Sequence, residues 1–522
     1  MAHLQISMHA AARAGLYDRL QADFVREQCE RLPWGLRTAA AHKHKTMLAQ
    51  TTVRESNTWI RESADKITVL KSPIVAALEI DAQGEDFDDA AERKAAFYTT
   101  QITQKNKEEV VRLAEKTNKI EISGKTVDAQ ILRITDKKFW KRRIRKELRQ
   151  WREKAHLLIM PEKMRWVSSD GSQEYKYMLA AHERWAANYC FISNTGQTVA
   201  APTPAQSAQR RYAELIAKTK GIETLATKRG LKAVFITLTL DTNFHSSKIK
   251  NRGRIANSEY DNSTPKDGHI FLTKQWARFR AQMKKREIDY EFVQAVHAHK
   301  NSTPHRHLVL WCAPEQKKEI IDLIYTYFKT NPVAAQIKIE EPQNSASAVA
   351  YCSRILAYLT RHLDSKTDNK KTKGDREKDE KEAEAVSAWA STWSIRRYST
   401  SISKSTIWKL ARNAGTENVP TQIKAAATSG DYATFLKECE NLNAKISYEN
   451  KKNSYGETYK KPVGIKFDGG IALKTTTWEI VKVTVNIKSQ ENQNQKQKTE
   501  LTDLETGEII FFETSQDPPP TI

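Results

Sequence analysis

The 522-residue chain reads as an α+β protein, and three observations in its sequence point there. Lys232 to Asp241 alternates like a strand, with Val234, Ile236, Leu238 and Leu240 on one face and Thr237, Thr239 and Asp241 on the other. Glu291 to His299 and His305 to Trp311 give two more strands joined by a short polar turn, an antiparallel hairpin. Around these strands apolar residues recur every three or four positions, the mark of helices packed by one face. Such a length is more than one ordinary core accommodates, so about two to four structural units are expected.

Composition narrows the function classes. Lysine and arginine number 85 against 63 acidic residues, a net charge of +22 that suits a polyanionic partner through counterion release, although a basic soluble surface would carry the same charge. Cys29, Cys190, Cys312, Cys352 and Cys439 form no CxxC pair, which argues against a zinc ribbon or a disulfide framework and fits a reducing compartment. No apolar run approaches the roughly 18 residues of a membrane span. The start of the chain lacks the charged and apolar regions of a signal peptide. A cytoplasmic protein with no membrane partner is expected.

Taken in order, residues 1–125 are polar and helical in pattern, without a recognisable site. A basic helical region follows at 126–224. Within it, 139–154 is a helix whose apolar positions Trp140, Ile144, Leu148 and Trp151 form one stripe, leaving arginines for solvent or DNA. Gln209 to Lys220 is a further helix, with Gly221 placed to end it and Gly230 placed before the next strand. After the strand from Lys232, a polar loop covers about 242–268. Phe271 to Arg286 is a helix with Phe271, Trp276, Phe279 and Met283 inward. Beyond the hairpin come a helix at 315–328, a short strand at 335–340 and a helix at 345–363. The segment 371–384 has almost nothing to bury and is a charged linker or an extended charged helix. A Trp-rich helical segment at 385–440 carries Trp389, Trp393 and Trp408, and 441–522 is a tail of short strands and low complexity.

The chemistry concentrates in Thr303-Pro304-His305-Arg306-His307. Side chains alternate along a strand, so His305 and His307 share a face and can hold one cation. A turn made of Asn301, Ser302 and Thr303 would pair His299 with His305 and His297 with His307, placing all four imidazoles together, whereas a two-residue turn would send the second pair to the other face. Neutral imidazoles suit a divalent cation, and three histidines with open coordination suit zinc as well, so the ligands alone leave the metal open. Tyr351 and Tyr358 stand seven residues apart, on one helix face and about 10 Å apart along the axis. That spacing alone equally describes a core stripe. A phenol with a pKa of about 10 becomes a useful nucleophile only when a cation stabilises the phenolate, which gives the nearby histidines their interest.

These motifs, in this order, resemble the replication gene A proteins of temperate tailed phages, rolling-circle initiators of the HUH endonuclease superfamily. The family's Thr-Leu-Thr strand matches Ile236-Thr237-Leu238-Thr239, with Phe244-His245 close behind, and its Trp-Ala-Arg helix matches Gln275 to Phe279. Its Glu-Pro-His, turn, Thr-Pro-His-Trp-His motif matches His297-Ala298-His299 through His307. Its Trp-Ala-Ser-Thr-Trp-Gly-Ile-Arg block matches Ala388 to Arg397, followed by Trp408 to Arg412, so the resemblance runs from about Trp140 to Arg412. Three departures stand out: His297 replaces the family's acidic residue, Arg306 replaces a bulky apolar one, and the paired tyrosines are seven rather than four residues apart.

The resemblance implies an HUH endonuclease core at 225–370, RRM-like, an antiparallel sheet with helices on one face, flanked by helical regions. It implies a site-specific single-strand endonuclease and strand transferase. Tyr358 would attack the origin phosphate, forming a 5′-phosphotyrosine and a free 3′-OH, and Tyr351 or a released 3′-OH would later rejoin the strand. His305 and His307, with His297 or alternatively His299 as third ligand, would hold Mg²⁺ or Mn²⁺. Arg354, Arg361, Arg396 and Arg397 would contact phosphates. The implied partners are origin DNA, single-stranded or supercoiled, and a host replicative helicase, in the cytoplasm of a bacterial host cell. Two other readings share the features: an HUH transposase or relaxase, and a non-catalytic DNA-binding protein stabilised by a structural metal.

Overall fold

Helix Lys137–Ile159 (α1) organises the first part of the chain, in a computed structural model that describes residues 18–76, 87–251, 253–332, 336–340, 373–413, 415–483 and 512–514. Asp136 caps it, accepting from the Lys138 N–H at 2.7 Å. The stripe expected from the sequence is its buried face, and it serves two cores. Trp140 and Ile144 pack with Tyr98, Val110 and Ile131, whereas Leu148 and Trp151 pack with Leu36, Ile60 and Ile67. Arg142, Arg145 and Lys146 of α1 stay exposed.

Ser169–Asn188 (α2) and Pro204–Lys228 (α3) follow. The α3 helix is longer than expected at both ends. A capping box between Thr203 and Gln206 with proline in the first turn starts it early. Gly221 lies inside the helix rather than ending it, because a Cβ there would meet the Tyr432 Cβ at 2.7 Å, and the bare backbone lets helix Tyr432–Asn441 cross closely. Gly230, at φ +77, makes the turn into the next strand.

That strand is Lys232–Leu238 (β1). The region expected as loop contains a small hairpin, Ser247–Lys250 (β2) with Gly253–Ala256 (β3). Pro265–Lys285 (α4), Tyr290–Ala298 (β4), Pro304–Cys312 (β5), Lys317–Phe328 (α5) and Ile337–Glu340 (β6) come next. Lys373–Trp393 (α6) resolves the charged segment as helix from Lys373 onward, and Tyr398–Thr400 (β7) ends this part. The five strands form one antiparallel sheet in the order β6-β1-β5-β4-β7.

Both faces of the sheet are covered, which corrects the expectation of helices on one face. Val234, Ile236, Leu308 and Leu310 meet Trp276, Phe279 and Met283 of α4 and Ile320 and Leu323 of α5. On the opposite face Phe235, Val293, Val309 and Trp311 meet Ile222 and Ala226 of α3, at one end only. The other end of that second face is where the histidines lie.

Farther along, helices Ser405–Arg412 (α7), Thr421–Ser429 (α8) and Tyr432–Asn441 (α9) pack around Trp408, Phe435 and Ile465 with strands Lys445–Lys452 (β8), Thr458–Phe467 (β9) and Gly470–Leu473 (β10), whereas Trp478–Val483 turns back to pair with Tyr189–Ser193. The segment 345–363, with Tyr351, Arg354, Tyr358 and Arg361, lies outside the described residues. Among the described residues no helix is long and apolar enough to cross a membrane.

Candidate functional site

The hairpin β4–β5 brings the histidines together through its turn. His299 N–H donates to Thr303 O at 2.8 Å and Ser302 N–H to His299 O at 2.9 Å, so the turn residues are Lys300, Asn301 and Ser302, with Ser302 left-handed at φ 74. His297 therefore stands opposite His305, and Ala295 opposite His307. The register expected from the sequence is corrected by two residues. Because the displacement is even, all four imidazoles still project from one face.

His305 sits at the centre. Its ring lies 4.1 Å from that of His299, 4.7 Å from that of His307 and 5.4 Å from that of His297. His305 Nε2 and His307 Nε2 are 2.9 Å apart, and His305 Nδ1 is buried without a hydrogen-bond partner. The neighbouring strand supplies two hydroxyls, Thr237 Oγ1 at 3.3 Å from His307 Nδ1 and Thr239 Oγ1 at 2.9 Å from His299 Nε2. His297 Nδ1 donates to the Ala298 carbonyl at 3.0 Å, which fixes its tautomer.

A fifth histidine belongs to the group and was not assigned a role from sequence. His245 Nδ1 accepts from Asn301 Nδ2 at 2.9 Å, and its ring lies 5.4 Å from that of His299. Its signal was the Phe244-His245 pair directly after the threonine strand. A cleft of about 600 Å³ beside the cluster is lined by His245, His299, Thr239, Lys248, Arg254 and Asn301.

Burial keeps these rings neutral. It pulls His297 and His307 down to about 4 and His299 to about 3, lowers His245, and pulls His305 well below the ordinary value, with the neighbouring imidazoles adding to the effect on His297, His299 and His305. Neutral rings offer nitrogen lone pairs at pH 7, the state that metal binding needs. As the side chains stand, no group of three or more His, Cys, Asp or Glu among the described residues is arranged to hold a metal ion. The donor chemistry nonetheless fits a cation at the His305–His307 pair, whose two Nε2 atoms stand 2.9 Å apart, a spacing compatible with neighbouring ligands.

Arg306 points to the opposite face, where its guanidinium donates to Thr273 Oγ1 at 2.7 Å and is 2 % exposed. Arg397 donates to Ser387 Oγ of α6 at 3.4 Å. Its carbonyl accepts from Val296 N–H at 2.7 Å, and its charge acts on His297. Arg396 is exposed and donates to the Tyr398 carbonyl at 3.2 Å.

Two tryptophans hold the turn. Trp166, itself left-handed at φ 64, donates its backbone N–H to Lys300 O at 2.9 Å and its indole N–H to Ala298 O at 3.1 Å, and accepts from Ser302 Oγ. Trp389, from the Trp-Ala-Ser-Thr-Trp block, donates its indole N–H to Ser302 O at 2.9 Å. Both are buried, so the hairpin tip is fixed from the helical region on one side and from α6 on the other.

Comparisons with known proteins give the family of the chain. The family model described as bacteriophage replication gene A protein (GPA) matches residues 60–381, starting well before the motifs noted in the sequence. The chain is 26% identical over 387 residues to the probable replication protein P12 of Pseudoalteromonas phage PM2, covering 68% of this chain and 59% of that one. It is 27% identical over 308 residues to the replication gene A protein of Escherichia phage P2, covering 52% and 40%. It is 24% identical over 293 residues to a probable replication endonuclease from a prophage-like region of Salmonella typhi, covering 52% and 35%. The chain spans about half the length of the curated relatives it matches. No solved structure matches. With more than half of its residues inside the family match, the chain belongs to the bacteriophage replication gene A protein family.

Proposed function

We propose that the chain is a rolling-circle replication initiator that nicks one strand of a phage origin, built on an HUH-type, RRM-like core. The observation that carries this reading is the neutral imidazole cluster on adjacent antiparallel strands, in a family member with a net charge of +22. His305 and His307 hold the cation, with His297 as third ligand and His299 as the alternative. Thr237 orients His307 through its ring nitrogen, as outer-shell partners of metal-bound imidazoles do. A bound cation polarises the scissile phosphate and offsets its developing charge. Magnesium prefers oxygen ligands, so of the two ions implied by the resemblance a nitrogen-only set fits manganese better.

Tyr358 is the nucleophile: its phenol gives up its proton, its oxygen forms a bond to phosphorus, the P–O3′ bond breaks, and the 3′ oxygen takes up one proton in its turn and leaves as a hydroxyl. Tyr351 or that 3′-OH performs the reverse transfer that rejoins the strand. Arg397, whose charge already reaches His297, contacts the phosphate, with Arg396, Arg354 and Arg361 along the flanking strand. A host replicative helicase is the protein partner.

The test is denaturing electrophoresis after mixing the protein and Mn²⁺ with single-stranded oligonucleotides tiled across its own gene. A covalent adduct is expected, lost in Tyr358→Phe and in His307→Ala, and weaker with Mg²⁺. Tight DNA binding with no adduct on any oligonucleotide would leave the non-catalytic reading in its place.

A further inference from the structure

The hairpin β8–β9 is fastened at both ends and bare between them. At its root Ile446 and Ile465 join the core around Trp408 and Phe435. At its tip it is fastened to the helical region far away in sequence. Glu457 pairs with Arg133, their side chains only 11% and 12% exposed, and also accepts from the Lys125 N–H at 2.8 Å. Tyr455 donates its hydroxyl to Asp136 Oδ2 at 2.7 Å, and its ring lies 4.4 Å beneath the Arg133 guanidinium. Arg133 holds the Glu457 carboxyl down at about 2, so Glu457 is fully ionised at neutral pH.

Between root and tip, Tyr448–Lys452 pairs with Thr458–Pro462, and every one of these residues is exposed. Neighbouring side chains in a strand point to opposite faces, so both faces of this stretch meet water. At about 3.4 Å per residue it spans roughly 15 Å. A ribbon anchored at both ends and bare on both faces between them is a bridge, open to solvent on either side. An isolated two-stranded ribbon is marginal in water, so the two anchors account for its order.

The side chains on the bridge say what it can bind. Cross-strand register puts Tyr448, Lys452 and Lys460 on one face and Tyr459, Lys451 and Lys461 on the other. Tyr448 and Tyr459 are 50% and 46% exposed. Glu449 is the one acidic residue in the bare stretch, and Lys451 pairs with it at 2.9 Å. Exposed aromatics beside lysines form the combination that binds single strands without reading sequence, bases stacking on the rings and phosphates meeting the cations. The exposed Arg142 of α1 reaches the Tyr455 hydroxyl at 3.3 Å, so the far bank is basic as well.

We propose that β8–β9 is a latched strap that encloses single-stranded DNA, the strand passing beneath the ribbon and the Glu457–Arg133 and Tyr455–Asp136 contacts closing the loop. This rests on the reading of the protein as a DNA-processing initiator, and it adds a means of staying on a displaced strand. Neither the histidine cluster nor the tyrosines take part.

The test uses the full chain in EDTA, so that no strand is cut, with one circular single-stranded oligonucleotide and its linear form. Complexes are challenged with excess unlabelled DNA and their lifetimes compared. The circle is expected to persist several-fold longer than the linear strand, which escapes by its ends. In Glu457→Ala, where the latch is open, the two lifetimes are expected to converge. Equal lifetimes in the wild type would overturn the strap. A second variant, Lys452→Ala with Lys460→Ala, changes only exposed side chains. The slope of log affinity against log salt is expected to fall by about 1.4, at about 0.7 for each single-strand phosphate that a lysine no longer neutralises, and an unchanged slope would overturn the DNA-binding surface. Nicking without any circle preference would sink the strap alone, whereas circle preference without nicking would sink the endonuclease reading alone.

Discussion

The molecule contains two hairpins with the same turn and opposite surroundings. In β4–β5 and in β8–β9 the third turn residue is left-handed, Ser302 at φ 74 and Gly456 at φ 74, and a backbone N–H at that residue closes the turn, at 2.9 Å in one and 3.0 Å in the other. The first hairpin is buried, carries neutral imidazoles, and has its tip fixed by two indoles. The second is bare along its middle, carries lysines, and has its tip fixed by an ion pair. Turn geometry is thus a local property, whereas what a hairpin can do is set by the solvent, charge and anchors around it.

Acid should separate the two most strongly. The buried histidines have folded values of about 4, 3 and 4 at His297, His299 and His307, below the ordinary 6.5. Between those values the unfolded chain takes up protons that the folded chain does not, so stability falls as pH falls from 6.5 towards 4. At roughly 1.4 kcal/mol per pH unit for each ring, three rings give roughly 4 kcal/mol per unit. Glu457 behaves differently: held at about 2 rather than 4.5, it contributes fully above 4.5 and loses its contribution only as pH falls towards 2. Thermal unfolding in EDTA from pH 7 to pH 5 should show a steep decline in the wild type. The decline should be shallower in His307→Gln, while Glu457→Gln should run parallel to the wild type. A His307→Gln curve parallel to the wild type would break the distinction.

The anchors should differ by less. Trp389→Phe removes the donor to the Ser302 carbonyl inside the protein, and an unsatisfied buried carbonyl costs about 1–3 kcal/mol. Tyr455→Phe removes a donor to Asp136 at a partly exposed site, where water replaces it, for about 0.5–1.5 kcal/mol. Denaturant titration of both variants should rank Trp389→Phe as the more damaging. The reverse order would mean that the ribbon tip is the more tightly held of the two.

The sequence carried this contrast unevenly. Alternation with a three-residue turn was enough to put four histidines on one face, because an error of two residues in register leaves every side chain on its own side. It could not give the pairing itself, since the left-handed residue is Ser302, held there by Trp166 and Trp389 from distant parts of the chain. Gly221 has the composition of a helix stop but serves the crossing with Tyr432, another contact that no local pattern contains. The bare ribbon was illegible for the opposite reason. A strand that buries neither face has no apolar period, so β8–β9 has no bounds of its own within the expected tail of short strands and low complexity. Residues 60–125 likewise belong to the family match, although their polar helices carry no motif of their own.

The smallest effect is the sharpest test of the turns themselves. A left-handed residue with a side chain costs about 1–2 kcal/mol relative to glycine. Gly456→Ala imposes that cost on the ribbon, and nothing lies within 4 Å of the added Cβ, so the penalty comes from the backbone alone. Ser302→Gly removes the same cost from the histidine hairpin but also deletes the hydroxyl that donates to the Trp166 carbonyl, a loss of about 0.5–1.5 kcal/mol. The two terms nearly cancel, so Ser302→Gly is expected within about 0.5 kcal/mol of the wild type while Gly456→Ala loses about 1 kcal/mol. If Ser302→Gly were instead stabilising by a full ~1 kcal/mol or more, the hydroxyl would contribute nothing, and the tip would be held by the two indoles alone.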